Sequence, residues 1–283
     1  MTTTQFEATF KNKLKSIYDD REANNITDWI FEHLTGLKKW QRRNNESILS
    51  DTQKNQLEKY LEDLLQSKPV QYVLNEAWFY KRKYYVNEDV LIPRPETEEL
   101  VEWIIQDSTA TQKGKLQIID IGTGSGCIPV TLKLELPNAE IDAIDISEKA
   151  LLVAKKNANE LNAGGSFFQI NFLQKAEWLL LSKYDIIVSN PPYIPISEKK
   201  MLSKNVADFE PQLALFVKNN EPFIFYRQIA DFAQLHLNTY GKIYVEVHEA
   251  NADEVKKIFA TAGFTAIIKK DIYGKERMVR AEK

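Results

Sequence analysis

Hydrophobic positions change their spacing about a quarter of the way along the chain. Between about residues 4 and 66 they recur at three- and four-residue intervals, the period of helices with one buried face. Trp29, Ile30, His33, Leu34 and Leu37 mark one such helix, with Asn25 and Thr27 placed to start it and Gly36 to end it. Leu57, Leu61, Leu64 and Leu65 mark another over residues 51–65, capped by Ser50 or Asp51. These stripes predict the core of a small helical bundle, beside which a groove for a protein partner can coexist. Near Lys68-Pro69 the composition shifts. Trp78, Phe79, Tyr80, Tyr84, Tyr85 and Val86 crowd around Lys81-Arg82-Lys83, the pattern of a short hairpin bridging two domains. Interleaved aromatic and basic residues also suit base stacking, but the compact turn between them favours the hairpin.

Short apolar runs then alternate with helical stretches. Residues 116–121, 141–144, 166–170, 184–188 and 242–247 read as strands, and 128–136, 150–161, 223–237 and 252–262 as helices. Two last strands, 264–272 and 277–281, flank a turn at Tyr273-Gly274. Strands alternating with helices predict a doubly wound α/β domain with a mostly parallel sheet, and the closing pair predicts an antiparallel edge. The expected organisation is a helical domain over residues 1–75, a hairpin linker over 76–92 and the α/β domain over 93–283.

Composition narrows the class. The 283 residues are 43% hydrophobic, ordinary for a globular protein with a full core. A net charge of -3 gives no general basic surface for phosphate, so direct nucleic-acid binding is not expected. Cys127 is the single cysteine, which excludes an intrachain disulfide and fits a reducing, cytoplasmic setting. The first residues lack the apolar core of a signal peptide, and no apolar stretch approaches the roughly 20 residues that span a bilayer. His33, His236 and His248 are scattered without metal-ligand spacing, so no metal is expected.

Asp120-Ile121-Gly122-Thr123-Gly124-Ser125-Gly126 places a glycine-rich turn after the first strand of the α/β domain, where such folds bind ligands. The third glycine of a dinucleotide fingerprint would fall on Cys127 or Pro129, and the Gly-Lys-Ser/Thr ending of a phosphate loop is absent. The remaining Asp-x-Gly-x-Gly-x-Gly pattern resembles the first motif of Rossmann-like methyltransferases, in which an acid and the backbone hold the cationic methionine end of S-adenosylmethionine. Asp145 ends the second strand, where a carboxylate can accept from two ribose hydroxyls or cap the next helix, a task Ser147 suits as well. Cys127 has no histidine near it in sequence and reads as packing rather than as a nucleophile.

Ser189-Asn190-Pro191-Pro192-Tyr193 follows the fourth strand. Two prolines remove donors and fix the backbone, leaving outward carbonyls for a ligand; a plain Asn-Pro turn is the structural alternative. An amide nitrogen is a poor nucleophile because its lone pair is delocalised. Accepting both of its N–H groups on the Asn190 side-chain oxygen and the Pro191 carbonyl would orient it and stabilise the charge it gains. Tyr193 can lie against the planar group. This chemistry suits methyl transfer to a planar amide or amino nitrogen without a strong general base.

Pro69-Val70-Gln71-Tyr72, residues 87–98 with Arg94-Pro95-Glu96-Thr97-Glu98, the glycine loop, Asn190-Pro191-Pro192-Tyr193, Phe209-Glu210-Pro211 with Leu213-Ala214-Leu215, and Asp271 with Gly274 and Arg277 together resemble the protein-(glutamine-N5) methyltransferases of peptide chain release factors. The likeness covers nearly the whole chain. It implies a helical N-terminal substrate-recognition domain, a hairpin linker and a Rossmann-like class I methyltransferase domain with a seven-stranded, mostly parallel sheet. It further implies that Gly122, Thr123, Gly124, Ser125, Gly126 and Asp145 hold S-adenosylmethionine, with Asp120 and Asn190. By the same resemblance Asn171 and Phe172 flank the adenine, and Arg94, Pro95 and Thr97 close the cofactor pocket. Asn190, Pro191, Pro192 and Tyr193 would grip the glutamine of a Gly-Gly-Gln loop in a class 1 release factor. Departures fall at Asn75, where glycine is common, at Asn171-Phe172, often Asp-Trp, at residues 218–222, and at Glu246-Val247-His248-Glu249-Ala250-Asn251, where the family pattern is Glu-x-Gly-x-x-Gln. A glutamine methyltransferase of a ribosomal protein, a DNA or RNA amino-group methyltransferase and a binding-only module remain the alternatives.

Overall fold

The computed structural model describes residues 2–44, 48–111 and 115–283, and the chain divides into two compact units. The first holds α1 (Thr3–Leu14), α2 (Asp20–Thr35), α3 (Lys39–Arg43), α4 (Asp51–Leu65) and α5 (Val70–Leu74). Each long helix begins where a side chain takes an orphan amide. Thr2 and Ser50 form capping boxes with Gln5 and Gln53, and Asp19 accepts from Glu22. Asp19 thus starts α2 earlier than Asn25 or Thr27, a correction to the sequence reading; Thr27 is buried and its hydroxyl donates back to the Ala23 carbonyl. Gly36 ends α2 in the left-handed conformation, φ 70°, as its position suggested. Leu57, Leu61 and Leu64 pack with Phe10, Leu14, Ile30 and Phe31, so the apolar stripes form this unit's core. The part of the helical stretch at residues 45–47 lies outside the described residues.

The second unit opens with the hairpin β1 (Ala77–Phe79) and β2 (Arg82–Tyr84), turned at Tyr80 and Lys81 with φ of 47° and 63°. Then follow α6 (Pro95–Thr111), β3 (Gln117–Ile121), α7 (Cys127–Glu135), β4 (Glu140–Asp145), α8 (Glu148–Glu160), β5 (Ser166–Gln169), β6 (Tyr184–Ser189) and β7 (Ile194–Pro195). After α9 (Lys204–Phe209), which groups with the first unit, come α10 (Gln212–Leu215), β8 (Phe216–Val217), α11 (Ile224–His236), β9 (Leu237–Glu246), α12 (Ala252–Thr261), β10 (Thr265–Lys270) and β11 (Glu276–Glu282).

Seven strands form one sheet in the order β10-β11-β9-β6-β3-β4-β5. The pairs β3·β4, β4·β5, β3·β6 and β6·β9 are parallel, and β11 joins β9 and β10 antiparallel, the expected mostly parallel sheet with an antiparallel edge. Both faces are buried, so the strands read as near-continuous apolar runs. Ile118, Ile186 and Val188 pack against α6 and α7 through Leu100, Ile104 and Ile128, together with Phe79 and Tyr84 of the hairpin. Ile119, Ile121 and Ile187 pack on the other face against Ile229 and Phe232 of α11 and Val255 and Phe259 of α12. From β3 the chain winds outward through β4 and β5, then returns to β6 on the other side of β3. The carboxyl ends of β3 and β6 therefore flank a topological switch point, the place where such sheets leave a crevice.

Candidate active site

Two loops leave that switch point, and the Ser189 hydroxyl, donating to the Ile121 carbonyl at 2.7 Å, ties their roots together. The glycine loop turns at once: the amides of Gly122 and Thr123 both donate to the Ile144 carbonyl, at 2.9 and 3.0 Å. Gly124 N donates to Asp145 Oδ2 at 2.9 Å, and Asp145 Oδ1 accepts from Ser147 N at 2.9 Å. Ser147, not Asp145, caps α8 with its side chain. Asn157 of α8, which the sequence did not single out, pins the loop from below by donating to the Ser125 carbonyl at 2.8 Å. Gly126 enters α7 at φ 76°, and a Cβ there would lie 2.9 Å from the Ala154 Cβ of α8. Glycine is needed at this point for both the backbone angle and the approach of the two helices. Gly126→Ala is expected to cost about 1–3 kcal/mol, read as a lower urea midpoint at unchanged slope; an unaltered midpoint would contradict the crowding.

The loop's carboxylates differ in kind. Asp145 lies at the crevice, and burial raises its carboxyl above the ordinary range although the Ser147 and Gly124 amides hold it down. Asp120 is wholly buried with neither carboxylate oxygen hydrogen-bonded. Desolvation pushes its pKa up to about 7, with the neighbouring Thr123 hydroxyl, too far off for a well-formed hydrogen bond, opposing the shift and the Asp145 charge adding to it. A buried carboxylate without a donor is costly unless a cation or donor arrives to meet it. Cys127 is buried and its thiol is pushed up to about 12 by desolvation, the behaviour of a packing residue.

Across the crevice, Asn190 and Pro191 leave the end of β6. Asn190 Nδ2 donates to Thr97 Oγ1 at 3.0 Å, and Thr97 Oγ1 donates to Glu246 Oε2 at 2.5 Å. Thr97 and Glu246 are both buried. Burial pushes Glu246 up to about 7, with the Thr97 hydroxyl opposing the shift. Arg94 Nη2 donates to Glu210 Oε1 at 2.5 Å, and Glu210 Oε2 accepts from Ile92 N at 3.2 Å, which straps the segment before α6. Tyr193 is placed otherwise than the sequence suggested. Its ring is partly buried against the core beside α11 and α12, 6.1 Å from His248, and it does not line the crevice. Phe172 stacks on Trp178 at 5.5 Å and meets Phe232 edge-on, with one side at the crevice.

Between the loops lies a cavity of about 490 Å³, within the range of small-molecule sites. Gly122, Gly124, Asp145, Asn171, Phe172, Asn190, Pro191 and Pro192 line it, so the two loops do meet at one crevice. Asp120, Thr123, Ser125, Gly126, Arg94, Pro95 and Thr97 are not in its lining. For the last three this differs from the pocket-closing place the resemblance gave them. Ile196, to which the sequence gave no role, and Leu213 line the cavity and are exposed. The set fits S-adenosylmethionine: a carboxylate at the end of β4 for ribose hydroxyls and an aromatic wall at Phe172 line the cavity, and the buried Asp120 carboxylate lies outside the lining, in β3 just before the glycine loop.

Fold and crevice together define a Rossmann-like methyltransferase. Residues 101–209 match the family model of the methyltransferase small domain, and residues 8–74 that of the PrmC N-terminal domain. A release factor glutamine methyltransferase of Flavobacterium psychrophilum is 42% identical over 285 aligned positions, 99% of each chain, and one of Bacteroides thetaiotaomicron is 37% identical over 98% of each. The chain belongs to the release factor glutamine methyltransferase family. Among solved structures, a methyltransferase from Pyrococcus furiosus is 15% identical with a TM-score of 0.51, covering 83% of this chain and 99% of its own, a likeness of fold.

Proposed function

We propose that the protein transfers a methyl group from S-adenosylmethionine to the side-chain amide N5 of the glutamine in the Gly-Gly-Gln motif of class 1 peptide chain release factors. The observation that carries this is a single cavity walled on one side by Gly122 and Gly124 and on the other by Asn190 and Pro191, in a chain that matches the family end to end. When bound, S-adenosylmethionine supplies an electrophilic methyl group on a sulfonium. The Gly122–Gly126 loop, Asp120 and Asp145 hold it, with Asn171 and Phe172 at the adenine. Asn190 Oδ1 and the Pro191 carbonyl accept the two N–H groups of the glutamine carboxamide, turning its nitrogen toward the methyl and stabilising the charge it gains. Pro192 walls the pocket, and Tyr193 buttresses the tetrapeptide from the core side. Arg94, held by Glu210, and Pro95 after it shape the segment that leads to Thr97.

The partner is a protein rather than a nucleic acid in this reading, supported by the net charge of -3. No helix among the described residues is long and apolar enough to cross a membrane, and a cytoplasmic site of action agrees with a single buried cysteine. The test is incubation with methyl-labelled S-adenosylmethionine and, separately, a class 1 release factor, ribosomal protein and duplex DNA. Label is expected on the motif glutamine of the release factor and lost when that glutamine is replaced. Label on ribosomal protein or DNA alone would overturn the assignment.

A further inference from the structure

We propose that Thr97 and Glu246 are positioning residues whose hydrogen-bond chain dictates which end of the Asn190 carboxamide faces the cavity. The inference rests on the reading of Asn190 given above and adds the device that makes it work. Asn190 and Glu246 leave the ends of adjacent parallel strands, with Ser189 and Val245 paired just before them. Thr97, in the first turn of α6, lies between their side chains. An ionised carboxylate only accepts, so the single Thr97 proton goes to Glu246. Thr97 Oγ1 is then an acceptor toward Asn190, and only the NH2 end of the carboxamide satisfies it. Oδ1 is left for the cavity. The two ends of a carboxamide have nearly the same shape, so packing alone discriminates poorly between them. Reversed, Asn190 would point N–H groups at the N–H groups of the substrate amide.

The chain has a built-in sensitivity to pH. A protonated Glu246 can donate to Thr97, which frees the hydroxyl proton for Asn190 and lets the whole chain reverse. The groups around the Glu246 carboxyl are Glu96, which disfavours its charge, and Arg277 and Arg94, which favour it. Tyr193 senses its charge from the end of β6, and Tyr226 of α11 donates to its main-chain carbonyl at 3.0 Å. With desolvation dominant and the carboxyl near 7, the functional orientation is held above pH 7 and lost below it.

Single-turnover methylation of a release factor at saturating cofactor reads the device directly. Thr97→Val is expected to slow transfer about ten-fold with cofactor affinity unchanged, and Thr97→Ser to regain most of the rate. The wild-type rate is expected to fall about ten-fold from pH 8 to pH 6, as one carboxylate titrates near 7, and Glu246→Gln to lose that dependence. The side-chain ¹⁵N–H2 signals of Asn190 report on the same chain without substrate, and are expected to move between pH 6 and 8 in the wild type but not in Thr97→Val. A Thr97→Val enzyme at wild-type rate, or Asn190 signals that stay fixed across that range, overturns the proposal. Absence of any transfer to the release factor with Asn190 signals that do move would instead strike the substrate assignment and leave the chain standing.

Discussion

Replacing Asn190 with alanine is expected to slow single-turnover methylation by about 10- to 150-fold while leaving cofactor affinity nearly unchanged. The residue lines the cavity from the loop after β6, not from the glycine loop, so on the proposed reading its loss removes a contact to the reacting amide rather than to the cofactor. The contact is worth more in the transition state than before it, because the substrate nitrogen becomes positive as the methyl arrives and its N–H groups become stronger donors. Hydrogen bonds to charged partners contribute roughly 1.5–3 kcal/mol, which sets the range. Alanine also strands the Thr97 oxygen, whose donor is Asn190 Nδ2 at 3.0 Å. Because Thr97 and Glu246 stay in place, the fold loses little. Rapid-quench measurement with labelled cofactor decides the matter: transfer at close to the wild-type rate would take Asn190 out of the chemistry.

The sequence revealed what is local or periodic. β3 and β6 showed as apolar runs because both of their faces are buried, and the glycine loop and Asn190-Pro191-Pro192-Tyr193 showed because each is a short run with an unusual backbone demand. The relation between them was also open to inference, since strand order and the switch-point rule bring both loops to one crevice. The roles of Thr97 and Glu246 were not. Their hydrogen bonds span 93 and 149 residues, and neither side chain has a local pattern that separates this task from an ordinary cap or strand end. Thr97 was accordingly assigned to the cofactor pocket by resemblance, whereas it lies beneath Asn190. Glu210 and Glu246 carry no role in the sequence reading, yet Glu246 offers a clue: it is an acid within the apolar run Ile243 to Val247, which needs a partner when buried. Helix α2 was started at Asn25 or Thr27 because both are good caps. Asp19 is capable too, and the buried Ala23 and Ile26 extend the apolar face back to it. β9 begins at Leu237, five residues before the strand read from Lys242, because it follows α11 directly and bends at Tyr240, φ 64°, beside Gly241, a pair that reads in sequence as a turn before a strand rather than as its interior.

Asp120→Asn is expected to weaken S-adenosylmethionine binding by about 10- to 150-fold and to remove most of its dependence on pH between about 5 and 7. The carboxyl is wholly buried, without a well-formed hydrogen bond, and pushed up to about 7 by desolvation, with the Thr123 hydroxyl opposing the shift, against an ordinary 3.8. Because the folded-state value lies above the unfolded one, the native protein holds a proton here that the unfolded chain has already released. Between those values each rise in pH costs native stability, with none of the loss present well below 4 and all of it present above 7. The loss amounts to roughly 2–4 kcal/mol, taking 1.36 kcal/mol for each tenfold change and allowing for relaxation around the charge. A cationic ligand reverses the sign, since it meets the ionised form and offsets its desolvation. Cofactor affinity is therefore expected to rise with pH toward 7 while the ligand-free protein becomes easier to unfold. Asparagine keeps the shape and removes the charge, so both trends flatten together. Calorimetric titration at pH 5.5, 6.5 and 7.5, with urea unfolding of the ligand-free protein at the same values, measures the two slopes. Parallel slopes in wild type and variant would mean that Asp120 stays neutral throughout and takes no part in holding the cofactor's charge.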